Sequence, residues 1–206
     1  MGILCGSRGS GYEREGFLHG NGGGGGGGPE HFPVEANVRI KNKTTEGALQ
    51  EFRDKHVAED HEFAYVIDDQ GYVHEYNEGD YGSVAIYNAK DGRIIHNHPS
   101  AGDPAFSFED LDLFASGGAK SMTASSSKYD YTIERGTHFR KQEFIKALSN
   151  AKLKGGNYTE AVHNWMMDNA GKYGFKYTRN TYNKNGKIVH TTKSSTKLGN
   201  KKGNKK

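Results

Sequence analysis

Seven consecutive glycines, Gly22–Gly28, followed by Pro29, divide this 206-residue chain before any other signal does. Glycine has no side chain to bury and much backbone freedom to lose, so such a run cannot belong to a packed core. Residues 1–31 therefore read as a Gly-rich flexible arm. At the other end, Lys184 to Lys206 holds eight lysines and no acidic residue, set among Asn, Gly, Ser and Thr. That stretch, 184–206, reads as a Lys-rich flexible tail. What can fold lies between them, and the length suits one domain of roughly 120–150 residues. The chain's net charge is only +3, less than the tail contributes, so the body is net acidic. Such a body is no obvious nucleic-acid footprint.

Cysteine usage narrows the chemistry. A single thiol, Cys5, excludes an internal disulfide and a CxxC metal clamp. Any metal must be held by histidines and carboxylates. A reducing compartment fits. No apolar run approaches the ~20 residues that span a bilayer, and the first residues lack the apolar centre of a signal peptide. These features predict a cytoplasmic protein that makes no membrane contact.

Within the body, Thr44 or Thr45 can cap a first helix with Leu49, Phe52 and His56/Val57 on one face. Residues 62–67 form a short apolar run of strand formers, and Asp68-Asp69-Gln70-Gly71 is a turn signal. Strands are expected at 72–76, 84–87, 93–96, 121–125 and 129–133. Ser107 opens a helix with Leu111, Leu113 and Phe114, which Gly117-Gly118 ends. Two more helices follow, with apolar faces at Phe144/Ile145/Leu148 and Val162/Trp165/Met166. This order predicts an α/β domain with a mixed or largely antiparallel sheet flanked by helices.

The chemistry concentrates in His96-Asn97-His98-Pro99, eight residues (99–106), then Ser107-x-x-Asp110. On a strand, side chains alternate, so His96 and His98 point to the same side. Pro99 blocks continuation of a central strand and places the pair at a strand end. A Gly/Pro-containing loop lets the chain double back, and Asp110 can add a carboxylate from the first turn of the next helix. Two imidazoles, one carboxylate and a fourth position for water make a catalytic zinc set. Glu62, at the start of the first core strand, is the candidate base; Glu59, Glu75 and Glu78 stand nearby in sequence. Ser107 can donate to an oxyanion. Ser107-x-x-Asp110 is also a helix capping box, with Phe106 and Leu111 as a hydrophobic staple, and the two roles are compatible.

Taken together, Glu62, His96-Asn97-His98-Pro99-Ser100 and Ser107-x-x-Asp110 resemble the motif of the JAMM (JAB/MPN) metalloprotease superfamily. The likeness is nearest to bacterial RadC-like and phage- or toxin-associated JAB domains, and it covers about residues 44–135. It implies a JAB/MPN-like (cytidine-deaminase-like) three-layer α/β domain over 32–135, followed by a helical C-terminal extension over 136–183. It further implies one zinc ion on His96, His98 and Asp110, with Glu62 holding and deprotonating the water and Ser107 stabilising the oxyanion. Members hydrolyse peptide or isopeptide bonds, often beside ubiquitin-like tails. This chain departs from the RadC-like run by one extra residue, Ala101, and by its C-terminal helices and Lys-rich tail.

Two other readings stand beside this one. The first is a catalytically weak JAB-like binding, assembly or toxin module. The second is a nucleic-acid-acting protein, with weak phosphate contact through the Lys-rich tail. The letters His-Asn-His spell an HNH nuclease signature, but such nucleases spread those residues over a ββα unit. The Met/aromatic stripe near Val162–Met167 reads as core packing.

Overall fold

A computed structural model describes residues 3–5, 38–39, 44–99, 104–151, 153 and 157–195. Apart from Ile3–Cys5, the Gly-rich arm at 1–31 lies outside the described residues, as do Ala101 and 196–206 of the Lys-rich tail.

The elements in chain order are β1 (Ile3–Cys5), β2 (Val38–Arg39), α1 (Thr45–His56), β3 (Phe63–Ile67), β4 (Tyr72–Glu78), β5 (Val84–Ile86) and β6 (Arg93–Asn97). They continue with α2 (Phe108–Gly117), β7 (Ser121–Ser125), β8 (Tyr129–Arg135), α3 (Lys141–Ser149), α4 (Tyr158–Tyr173), β9 (Phe175–Tyr182) and β10 (Ile188–Lys193). Eight strands form one mixed sheet in the order β10-β9-β8-β7-β6-β3-β4-β2, and β1 pairs with β5 separately. All pairings in the large sheet are antiparallel except β6 with β7, which α2 connects. A parallel pair needs such a crossover.

Local chemistry explains the boundaries. Thr44, not Thr45, caps α1: its side chain accepts from the Gly47 N–H at 2.9 Å. The β3–β4 hairpin turns at Asp68–Gly71, where Asp68 Oδ1 accepts from the Gln70 and Tyr72 N–H groups. Gly71 supplies the positive φ of 81° there. Gly118, at φ 79°, stops α2 in the left-handed conformation.

Two clusters divide the core by sheet face. Phe52 of α1 packs with Phe63, Tyr65, Ile67 and Ile95 on one face. The larger cluster joins Ala64, Val66, Ile94, Met122, Ala124, Tyr131 and Ile133 of the sheet to Leu111, Phe114, Phe144, Val162 and Met166 of α2, α3 and α4. The sheet is thus flanked by α1 on one side and three helices on the other. Arg53 of α1 pairs with the buried Asp130 of β8, donates to the Ser126 carbonyl at 3.0 Å and lies 3.6 Å from the centre of the Tyr182 ring.

Two expectations need correction. The 136–183 segment is not wholly helical, because β9 runs through 175–182 and pairs along the whole of β8. Nor is 184–206 a tail from its first residue, because β10 closes a hairpin with β9. Both strands were hidden by composition. Only Phe175, Tyr177 and Tyr182 of β9 are buried, and β10 is exposed almost throughout. Such a strand is held by ladder hydrogen bonds more than by burial of an apolar face.

Candidate metal centre

β6 enters the core through Ile94 and Ile95 and delivers His96 at its end. In register, His96 lies between Ala64 of β3 and Ala124 of β7. Two methyl-sized neighbours leave the imidazole room on the face that carries the larger core. His98 follows two residues on, its N–H donating to the Ser125 carbonyl at 2.8 Å. Period-two alternation puts both rings on one side, as the sequence predicted.

Asp110 arrives from the first turn of α2. Ser107 caps that helix: its Oγ accepts from the Asp110 N–H at 3.0 Å, and its own N–H donates to Asp110 Oδ2 at 2.7 Å. The capping box therefore orients the carboxylate and leaves Asp110 Oδ1 to face His96. Phe106 and Leu111 are buried on either side, the expected staple. The Tyr158 hydroxyl of α4 donates to the Phe106 carbonyl at 3.0 Å and ties down the same helix entry.

The three side chains converge. His96 Nε2 and His98 Nε2 are 3.0 Å apart, and each is 3.4 Å from an Asp110 carboxylate oxygen. All three residues are wholly buried. A tetrahedral ion with ligands at about 2.0–2.1 Å has ligand–ligand edges of about 3.3–3.4 Å. The two Nε2 atoms stand slightly closer than such an edge, and each histidine faces a different Asp110 oxygen, His96 facing Oδ1 and His98 facing Oδ2, at an edge-like 3.4 Å. His96, His98 and Asp110 thus form a buried group that can hold a metal ion, the one such group of three among the described residues. Burial alone would push the Asp110 carboxyl up, but His96 and His98 outweigh it and hold the group well below the usual carboxylate range.

Glu62 is also wholly buried. The β3–β6 register ends at the Ala64–His96 pair, and continued by two residues it would set Glu62 opposite His98. Cross-strand partners share a face, with Cβ atoms about 4.5–5.5 Å apart. Glu62 stands two residues before Ala64, and continued alternation would put it on the face that carries His96. Its N–H donates to the Asp80 carbonyl at 2.8 Å, and its carbonyl accepts from the Gly79 N–H at 2.7 Å. The neighbouring acids lie elsewhere. Glu75 accepts from the Tyr87 and Asn88 N–H groups at 2.7 Å, and Glu78 meets His61 at 2.8 Å.

Ser107 is buried beside the centre, and its Oγ accepts from the Asp110 N–H. A hydroxyl that accepts still has its own proton to give. Asn97, between the two histidines, received no role in the sequence reading. In the structure it is wholly buried, and its side chain bonds to backbone on both sides of Glu62. The available signal was a buried-strand Asn directly before His98-Pro99, where the ladder loses a donor.

No helix among the described residues is long and apolar enough to cross a membrane. No protein-family model, curated protein or solved structure matches this chain.

Proposed function

We propose that this chain is a zinc-dependent hydrolase of the JAMM (JAB/MPN) type, cleaving peptide or isopeptide bonds. The observation that carries the reading is the buried convergence of His96, His98 and Asp110, one ligand atom of each lying within 4.8 Å of the others, close enough for one ion to reach all three. Two imidazoles and one carboxylate leave a fourth position open, the pattern of catalytic rather than structural zinc. Zinc bound there would polarise a carbonyl and lower the pKa of a water to about 7.

The protein groups then have distinct tasks. Glu62, which continued alternation would put on the sheet face of His96, takes the proton of the attacking water and passes it to the leaving amine. Ser107 donates its hydroxyl proton to the oxyanion that develops on the carbonyl carbon's oxygen. Asp110, pinned by the Ser107 N–H, keeps its carboxylate aimed at the two Nε2 atoms. Burial of all four side chains keeps bulk water from competing with these contacts. A JAB/MPN-like fold fits the mixed sheet, with α1 on one face and α2 on the other.

The test is hydrolysis of linear peptides and of lysine-linked isopeptides by zinc-loaded and chelator-stripped protein. Cleavage that disappears with the metal and returns with zinc supports the reading. Stoichiometric zinc without cleavage of either class would replace it with a binding or assembly module.

A further inference from the structure

We infer that Asn97 is the positioning residue that sets Glu62 against the metal centre, an inference that rests on the hydrolase reading above. The argument begins with a gap in the sheet. The β3–β6 ladder ends at the Ala64–His96 pair. The same register would set His61 opposite Pro99, and proline has no N–H to give. The Asn97 side chain takes over at that point. Its Oδ1 accepts from the Phe63 N–H at 2.6 Å, and its Nδ2 donates to the His61 carbonyl at 2.9 Å.

Those two groups bracket Glu62. The remaining polar groups of its two peptide units are the Glu62 N–H, bonded to the Asp80 carbonyl, and the Glu62 carbonyl, bonded to the Gly79 N–H. All four groups that flank the Glu62 Cα are therefore held. The residues after β4 hold two, and one side chain of β6 holds the other two. With both peptide planes fixed, the Cα–Cβ direction of Glu62 is fixed as well. Because Asn97 lies between His96 and His98, the same three residues of β6 set both the ligands and the distance from them to the base.

Only a carboxamide meets this demand. It presents an acceptor and a donor side by side, copying the peptide group that the ladder lacks. Aspartate has the same shape but, ionised, offers acceptors only and sets an oxygen against the His61 carbonyl. Misplacing a base by a fraction of an ångström costs rate, whereas the metal-ligating atoms would come from His96, His98 and Asp110 and the Asn97 side chain bonds to the backbone of Phe63 and His61.

The experiment compares Asn97→Asp, Glu62→Gln and the double variant for zinc content, kcat, KM and the visible spectrum of the cobalt(II)-substituted protein. Asn97→Asp is expected to keep one metal per chain and to lose about 10- to 10²-fold in kcat with KM nearly unchanged. The double variant is expected to be no slower than Glu62→Gln alone, because a misplaced base and an absent one are equivalent losses. The cobalt spectrum of Asn97→Asp is expected to shift as that of Glu62→Gln does. Wild-type kcat in Asn97→Asp, or losses that multiply in the double variant, would overturn the inference. If the wild type binds metal but cleaves nothing, the cobalt spectra decide alone, and an unshifted Asn97→Asp spectrum overturns it. A wild type that takes up no metal removes the hydrolase reading and this inference together. Asn97→Ala serves for the same comparison if Asn97→Asp does not fold.

Discussion

His96 and His98 aim their Nε2 atoms at one point, 3.0 Å apart, with the Asp110 carboxylate 3.4 Å from each. Two neutral imidazole nitrogens that close can share only one proton. A divalent cation satisfies both lone pairs and the carboxylate at once. That is why the group is suited to hold a metal ion.

Glu62→Gln keeps the size and the backbone contacts of the residue but removes its basicity. Zinc content should stay at the wild-type level while turnover falls by about 10²-fold or more, the scale of a lost acid–base group. Steady-state kinetics beside metal analysis reads both quantities. Near-wild-type turnover would strip Glu62 of its role.

Ser107 caps α2 and is proposed to donate to the oxyanion, and two substitutions separate the two roles. Ser107→Ala removes the cap, at a cost of about 1 kcal/mol in denaturant unfolding, and Ser107→Gly costs only a few tenths. Both remove the oxyanion donor and should lower kcat by about 10²- to 10³-fold. A Ser107→Gly protein that works at the wild-type rate would leave Ser107 as a cap alone.

The His56 ring is buried against Phe52 and Phe63, and its Nε2 meets the Tyr65 hydroxyl at 3.1 Å. Burial, then repulsion from Lys55, lowers its pKa from 6.5 to about 4. The unfolded chain binds this proton more readily than the folded one. The contribution of the neutral ring is therefore complete above pH 6.5 and is lost as pH falls from 6.5 towards about 4. At about 1.4 kcal/mol per unit it amounts to no more than about 3.5 kcal/mol. Urea unfolding at several pH values should give a flatter pH profile over this window for His56→Gln. An unchanged slope would assign the pH dependence to other groups.

Phe144 joins α3 to the main core. Its ring centre lies 5.4–6.5 Å from those of Phe114, Phe139, Trp165, Tyr173 and Phe175. If 136–183 were a separable appendage, truncating this side chain would leave the body that carries His96, His98 and Asp110 intact. The structure predicts that Phe144→Ala costs about 3–5 kcal/mol in a single cooperative transition. A loss below about 1 kcal/mol, or two resolved transitions, would separate α3 from the domain.

The sequence showed most of what positions the centre, for identifiable reasons. Strand alternation put His96 and His98 on one side, Pro99 marked the strand end, and Ser107-x-x-Asp110 announced a capped helix start. Strand β7 ran over the expected 121–125, and most other elements shifted only at their ends. Glu62 needed the β3–β6 register, a long-range property, before it could be told from Glu59, Glu75 and Glu78. The polar β9 and the exposed β10 carried too little apolar pattern to be read at all. The Asn97 contacts depend on what lies across the ladder, which no local pattern records.

Metal analysis of purified protein after exposure to zinc, with His96→Ala and Asp110→Ala alongside, tests the central claim most directly. One tightly held zinc per wild-type chain, lost in both variants because each lacks one of three protein ligands, is the predicted result. Full zinc occupancy in either variant, or none in the wild type, would contradict it.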